Sequence, residues 1–203
     1  MSTVISRVYS EHAGSAKIFK DYLIDYVYGS NTMVTLDVSF PDLSTEQNLP
    51  TPHALGNIYF LEDEAGYMQY DASNMSAHVA EGNGYGNFED LNKYVRTLMT
   101  GNNILNTSTV TLMQTDYSPD TSGHSNYALG CITTPNLGFG HNGEIRGYLS
   151  IMAYDPEHDV SIIVLMNVMD YINHEDYITN FKGMYSAAWK AREILGYPGN
   201  PYE

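Results

Sequence analysis

The fold of this chain is decided by one stretch of its sequence, Gly147-Tyr-Leu-Ser-Ile-Met-Ala-Tyr-Asp-Pro-Glu-His-Asp159 followed by Val160-Ser-Ile-Ile-Val-Leu-Met-Asn167. Tyr148–Tyr154 and Val160–Val168 are strand-like, because apolar, β-branched and aromatic residues dominate both runs. The segment Asp155–Asp159 between them has the composition of a tight turn. Val160–Met166 is apolar at nearly every position, which predicts that both of its faces are covered. These runs predict an antiparallel meander.

The segments on either side extend this meander. Tyr127–Thr133 is a further strand-like run, which makes three predicted strands. A last helix is predicted after Asn173, whose side chain suits an N-cap, and Gly196 and Pro198 end it. The C-terminal part of the chain is therefore predicted to be a three-stranded antiparallel meander covered by a C-terminal helix.

The first half of the chain is richer in helices and loops. Residues 15–28 have an apolar stripe at helical spacing, and Asn87 is the expected N-cap of a helix that ends at Gly101. Thr107–Met113 predicts one more short helix, and residues 58–80 contain two ambiguous strand-like runs. We therefore expect an α+β fold with a helical and loop-rich portion at 1–113 and a sheet with its helix at 114–203, forming one compact unit.

The charge balance of the chain limits the classes of molecule that it is expected to bind. The chain has 9 Lys and Arg residues against 24 Asp and Glu, a formal net charge of -15. Such a chain repels phosphate backbones, so we expect no nucleic-acid partner. No apolar run approaches the length of a membrane span, and the first residues lack the basic and then apolar pattern of a secretory signal.

Metal and cofactor chemistry are not indicated. The 7 histidines form no His-Glu-x-x-His pair and have no zinc-ligand spacing with Cys131, the single cysteine. The glycines form no phosphate-binding loop. Because Cys131 lies in an apolar run, we expect a buried and inert thiol. The sequence predicts no cofactor, no metal and no internal disulfide.

An ordered set of motifs resembles a known family. Tyr127-Ala-Leu-Gly130 is followed by Gly138-Phe-Gly-His-Asn-Gly143 and then by a strand ending in Tyr154-Asp-Pro156. This order resembles the C-terminal half of the penicillin-recognising serine hydrolases, which include serine β-lactamases, class C enzymes among them, and D-alanyl-D-alanine peptidases. In that family a Tyr-Gly-Leu-Gly strand leads to Gly-His-x-Gly-Gly and a Tyr-Asp-Pro strand. Upstream segments that resemble the family's helices are Gly14–Met33, Glu81–Gly101 and Ile104–Met113.

The resemblance implies a fold and a set of site residues. The fold is the C-terminal part of the β-lactamase/transpeptidase-like fold, truncated relative to the family. His141, Asn142 and Gly143 fall on the family's third motif, where most members carry Lys-Thr-Gly. In this assignment His141 supplies a hydrogen-bonding side chain and Gly143 leaves room for the substrate beside the strand. The backbone N–H of Glu144 would be one of two oxyanion-hole donors.

The family's nucleophile motif is missing from the chain. No serine has a lysine three residues later, as Ser-x-x-Lys requires. On a helix the third residue onward lies one turn away, within reach of the serine, whereas other spacings point elsewhere. Tyr-x-Asn occurs at Tyr85–Asn87 and Tyr171–Asn173, and a related Tyr-Ser-Glu at Tyr9–Glu11, but none combines the order and residues of the family motif.

These observations lead to two hypotheses about the function of the chain. One is a non-catalytic member of the family, and the other is the C-terminal part of an active serine hydrolase whose nucleophile another chain supplies. The expected partners are a second copy of the chain or a complementing N-terminal half, and the expected ligand is a small peptide or a β-lactam-like molecule. The resemblance implies a periplasmic or extracellular location, which no feature of the chain itself specifies.

Overall fold

The computed structural model describes residues 2–17, 21, 49–60, 66, 68–70, 78, 82–101, 105–115, 126–171 and 174–202. The fold is α+β, as predicted, with four helices and seven strands among these residues. In chain order they are α1 (Ser2–Ala13), β1 (Gly56–Phe60), β2 (Met68–Tyr70), α2 (Phe88–Thr100), α3 (Thr107–Thr115), β3 (Ile132–Thr134), β4 (Gly138–Ile145), β5 (Tyr148–Asp155), β6 (Val160–Met166), β7 (Val168–Tyr171) and α4 (His174–Ile194).

The predicted meander is an antiparallel sheet with the strand order β3-β4-β5-β6. The turn between β4 and β5 contains Gly147, whose φ of 80° a glycine adopts without strain. The turn between β5 and β6 ends at Asp159, which has a φ of 55°. The two strands predicted from the deciding stretch are thus confirmed as β5 and β6, with their tight turn between them.

This sheet has four strands among the described residues, whereas the sequence pattern predicted three. The strand predicted over Tyr127–Thr133 is mostly a turn, because Gly130 has a φ of 68° and the Ala128 N–H donates to the Cys131 carbonyl at 2.8 Å. The extra strand is β4, which has too few apolar residues to be recognised by pattern. It has glycine at 140 because a Cβ there would overlap the backbone of β5.

A second sheet has the strand order β2-β1-β7. The runs near residues 58–70 are therefore strands, with β1 antiparallel to β2 and parallel to β7. The Asn57 N–H donates to the Asn167 carbonyl at 2.9 Å. The side-chain amides of both asparagines donate to the Leu55 carbonyl, each at 2.9 Å. These bonds join the start of β1 to the boundary between β6 and β7.

The core lies between the sheets and α4, on one face of β5 and β6. Leu149, Ile151 and Ala153 alternate along β5 and are each less than 5% exposed. Their partners from α4 include Met184, Ala188 and Trp189. This face of the four-stranded sheet is called here the helix-covered face. Val160 and Ile162 of β6 are buried on the same face, and Ile58 of β1 and Met169 of β7 contribute to the core from the second sheet.

The helix signals of the first half are confirmed where the structure describes them. Asn87 caps α2 by accepting a hydrogen bond from the Asp90 N–H at 3.0 Å, and Gly101 ends the helix with a φ of 71°. Helix α3 coincides with the short helix predicted from Thr107. The helix predicted over residues 15–28 lies largely outside the described residues, as does Asn173, while α1 was not predicted.

The chain divides into two compact units. One consists of Met1–Asn48 and Ala72–Val110, and the other of Leu49–Asp71 and Thr111–Glu203. The second unit contains both sheets, α4 and the expected site residues. Among the described helices, none is both long enough and apolar enough to cross a bilayer.

Candidate functional site

His141 and Gly143 lie on the face of β4 that points away from α4. His141 is paired in register with Met152 and Gly143 with Ser150. Between these β5 residues lies Ile151, which is buried against α4. Because successive residues of a strand point to opposite faces and paired residues share a face, His141 and Gly143 belong to the face opposite the helix-covered one.

The same residues lie along an edge of the sheet. Strand β3 pairs with Gly138–Gly140 and does not extend along His141–Gly143. No described strand pairs with His141–Gly143 on the side away from β5. The His141 side chain is exposed. A ligand that approaches this edge would therefore meet the imidazole and the strand backbone together.

Tyr127 is the side chain that the fold brings to His141. Its hydroxyl oxygen lies 3.1 Å from His141 Nε2. The ring centroids are 5.5 Å apart at an interplanar angle of 88°, so the rings meet edge to face. The other imidazole nitrogen, Nδ1, contacts the backbone carbonyl of Asn142. Both ring nitrogens of His141 thus have partners within the protein.

Sequence reasoning missed the contact between Tyr127 and His141, although Tyr127 opens the Tyr-Ala-Leu-Gly segment. The two residues are 14 positions apart, and no motif spacing relates them. The turn at Gly130 folds Tyr127 back so that it forms a bridge with Ile132, next to β4. A pairing created by one turn and one strand register leaves no periodic signal in the sequence.

Gly143 has a further constraint from its neighbour on β5. A Cβ at this position would overlap the Ser150 Oγ. The expectation from the sequence was that glycine leaves room for a substrate beside the strand. In the structure, part of that room on the face opposite α4 is used by Ser150.

Asn142 and Glu144 point to the helix-covered face, opposite to His141. Asn142 is paired with Ile151 and Glu144 with Leu149, both of which are buried. Glu144 Oε1 accepts a hydrogen bond from the Tyr171 hydroxyl at 3.2 Å. Burial, followed by the negative charge of Glu144, raises the pKa of Tyr171. The backbone role expected of Glu144 stays a prediction.

Residues of the Tyr-x-Asn-like segments, and the single cysteine, have structural roles. The Ser10 hydroxyl donates to the Lys17 carbonyl at 3.0 Å and accepts from the Lys17 N–H at 2.8 Å. Asn87 is the cap of α2, as predicted. Cys131 is fully buried, and burial raises its pKa to about 11, with a backbone hydrogen bond from Gly140 opposing the shift. Since the thiolate is the reactive form, the burial and the raised pKa of Cys131 agree with the inert thiol expected from the sequence.

One cluster of metal-ligand types occurs among the described residues. Ligand atoms of Asp155, Glu157 and His158 lie within 4.8 Å of one another. Asp155 Oδ2 is 2.6 Å from an Arg192 nitrogen and 2.8 Å from His158 Nδ1. The guanidinium already supplies a positive charge at this carboxylate, which opposes the binding of a divalent cation. The cluster is therefore a structural ion pair at the turn between β5 and β6.

Solved structures with a similar fold include hydrolases and a penicillin-binding protein. The D-stereospecific amidohydrolase from Streptomyces sp. has a TM-score of 0.60 at 19% identity, covering 82% of this chain and 48% of that one. The D-amino acid amidase from Ochrobactrum anthropi SV3, solved with L-phenylalanine, has a TM-score of 0.61 at 20% identity, covering 83% and 51%. The penicillin binding protein from Bacillus halodurans has a TM-score of 0.57 at 18% identity, covering 91% and 54%.

These similarities establish the fold, and this chain spans about half the length of each of these proteins. No curated protein matches the sequence. The Beta-lactamase family model matches residues 20–179, which is most of the chain and includes every expected site residue. This match agrees with the order of strands and motifs around His141, and the chain therefore belongs to the β-lactamase family.

Proposed function

We propose that this chain is a non-catalytic member of the β-lactamase family that keeps the His141-Asn142-Gly143 strand as a ligand-binding site. The observation that carries the proposal is the position of His141, exposed on a section of β4 beside which no described strand lies. A ligand can reach the imidazole and the strand edge at this position. The position therefore suits the binding function of the third motif.

The proposal that the chain is inactive alone rests on the chemistry of the family. Acyl transfer needs a nucleophile with a base within hydrogen-bonding reach. The 203 residues contain no Ser-x-x-Lys. The hydroxyl of Ser10 is hydrogen-bonded to the backbone of Lys17, seven positions later in the chain. The strand that carries His141 and Gly143 therefore provides a surface for binding but no activated nucleophile.

The alternative function is the C-terminal part of an active hydrolase. The arrangement that favours it is the contact between Tyr127 and His141, which holds an exposed imidazole in one orientation. A second chain or an N-terminal half would then supply the nucleophile. The similar proteins are named as an amidase, an amidohydrolase and a penicillin-binding protein, so D-amino-acid amides, peptides and β-lactams are the candidate ligand classes.

A direct test exposes the purified chain to a chromogenic β-lactam, a p-nitrophenyl ester and D-phenylalanine amide. We expect neither turnover nor a covalent adduct in the intact mass, because no activated nucleophile is present. A catalytically competent member of the family, treated in parallel, controls for the reagents. A mass increase of one acyl group on any serine of this chain would contradict the proposal.

The alternative is tested by co-expressing this chain with an upstream coding segment that contains Ser-x-x-Lys. Acylation of the complex and its loss in His141→Ala would favour the active-enzyme alternative over the inactive one. His12→Ala is the matched control, because His12 lies on the exposed end of α1. Equal effects of the two substitutions would argue against a role for His141.

A further inference from the structure

We infer that Tyr127 is the ligand-contacting residue of this site and that its hydroxyl oxygen accepts a hydrogen bond from an N–H group of the ligand. His141 acts as a positioning residue, because it fixes the direction of the Tyr127 hydroxyl. The inference rests on the proposed function, since it takes the ligand to be one that binds beside β4.

The hydrogen on the imidazole can be placed from its two partners. His141 Nδ1 contacts the Asn142 carbonyl oxygen, which can only accept a hydrogen bond, so Nδ1 carries the hydrogen. In the neutral ring Nε2 is then an acceptor. The Tyr127 hydroxyl, 3.1 Å from Nε2, must therefore be the donor. With this assignment each of the two contacts has one donor and one acceptor.

The assignment determines which group meets the ligand. Both His141 nitrogens are engaged within the protein, so the imidazole has no ring nitrogen left to offer. Tyr127 is 39% exposed, and its hydroxyl oxygen retains acceptor capacity after donating to His141. A hydroxyl that donates to one partner becomes a better acceptor for another, because successive hydrogen bonds polarise each other. The site therefore presents an acceptor.

An acceptor favours amide or ammonium groups over carboxylates. The net charge of the chain, -15, adds to this preference, because a negative field attracts cations and repels anions. The sequence alone suggested that His141 would supply the hydrogen-bonding group of the third motif. In the structure the neighbouring phenol takes that position, and the preferred ligand is an amine or amide with free N–H groups.

The first test measures the tautomer of His141 by ¹⁵N NMR, at a pH where titration of the same signals shows a neutral ring. We expect hydrogen on Nδ1 in the wild-type chain and a shift of population toward hydrogen on Nε2 in Tyr127→Phe. Tyr202→Phe is the matched control, because Tyr202 packs on Trp189 and not on His141. Hydrogen on Nε2 in the wild-type chain would overturn the inference even if Tyr127→Phe did not fold.

The second test measures binding of D-phenylalanine amide and of 3-phenylpropionate, which has the same ring and a carboxylate but no N–H. We expect the dissociation constant of the amide to rise about tenfold in Tyr127→Phe, as the loss of one hydrogen bond implies, with no change in Tyr202→Phe. The ligand assignment would be overturned if the chain bound no amide saturably or if Tyr127→Phe left the amide affinity unchanged. Binding of 3-phenylpropionate that depended on Tyr127 would overturn it as well. Neither test measures turnover. A failure of either test is therefore distinguishable from the formation of an acyl adduct, which would contradict the proposed function.

Discussion

The carboxylate of Asp155 and the guanidinium of Arg192 form a buried ion pair, with 2.6 Å between Oδ2 and one Arg192 Nη atom. The Arg192 side chain is 2% exposed and that of Asp155 is 10% exposed. Arg192 Nε also donates to the Pro198 carbonyl at 2.8 Å. The pair thus ties the turn between β5 and β6 to α4 and to the segment that follows it.

Replacing Arg192 should strongly destabilise the second unit. Arg192→Leu leaves the Asp155 carboxylate buried without its cation, and such changes cost about 3–5 kcal/mol. We expect a correspondingly lower free energy of unfolding in urea, followed by circular dichroism. Lys190→Ala is the control, since it removes an exposed ion pair with Glu193 from the same helix. Similar effects of the two substitutions would contradict a buried role for Arg192.

Acid should weaken the fold through Asp155. Burial raises the pKa of this carboxyl, but hydrogen bonds from His158, Arg192 and the Glu157 N–H outweigh burial and hold the pKa below its ordinary value of 3.8. A carboxyl with a depressed pKa adds stability above its unfolded pKa, and this stability is lost as the pH falls through the folded value. Urea midpoints below about pH 4 should therefore fall more steeply in the wild type than in Asp155→Asn. If the urea midpoints of the wild type and of Asp155→Asn fell equally with pH, protonation of Asp155 would not contribute to the loss of stability in acid.

Alanine at two glycines of β4 should have unequal effects. A Cβ at Gly140 would overlap the Met152 carbonyl and the Ala153 backbone, whereas a Cβ at Gly143 would overlap only the movable Ser150 side chain. Overpacking that shifts backbone costs about 1–3 kcal/mol. We expect thermal unfolding to show a large loss in Gly140→Ala and a smaller one in Gly143→Ala, which Ser150→Gly relieves. A larger loss in Gly143→Ala would contradict the strand packing described here.

The chain should associate with itself when no complementing partner is present. Strand β6 ends the four-stranded sheet among the described strands, and Leu165 on it is 41% exposed. Strand β1 pairs with β7 and strand β2 pairs with β1, so neither of them pairs with β6. Open apolar sheet edges favour pairing with a second chain. Light scattering should show a dimer that Leu165→Lys dissociates; a single species near the 22.7 kDa monomer mass would contradict this.

The sequence by itself determined the parts of the molecule whose signals are local. The strands and turn of the β5–β6 hairpin follow from two apolar runs around Asp155–Asp159, and α2 follows from Asn87 and Gly101, which satisfy groups within a turn of themselves. The ordered motifs between Tyr127 and Asn167 indicated the family, which the family model confirms. In the hairpin and in α2 the interacting groups are close in the chain, so composition and spacing carry the information.

Only the tertiary structure decided how distant segments meet. The Asn57 side chain donates a hydrogen bond to the Asn167 carbonyl across 110 positions. Strand β4 can lie against β5 because its glycines allow close approach. Tyr127 reaches His141 through a glycine turn and a strand register, neither of which has a fixed sequence spacing. Hydrogen bonds of this kind depend on where the backbone places each donor and acceptor. The orientation of the His141 ring therefore became visible only when the folded positions of Tyr127 and Asn142 were known.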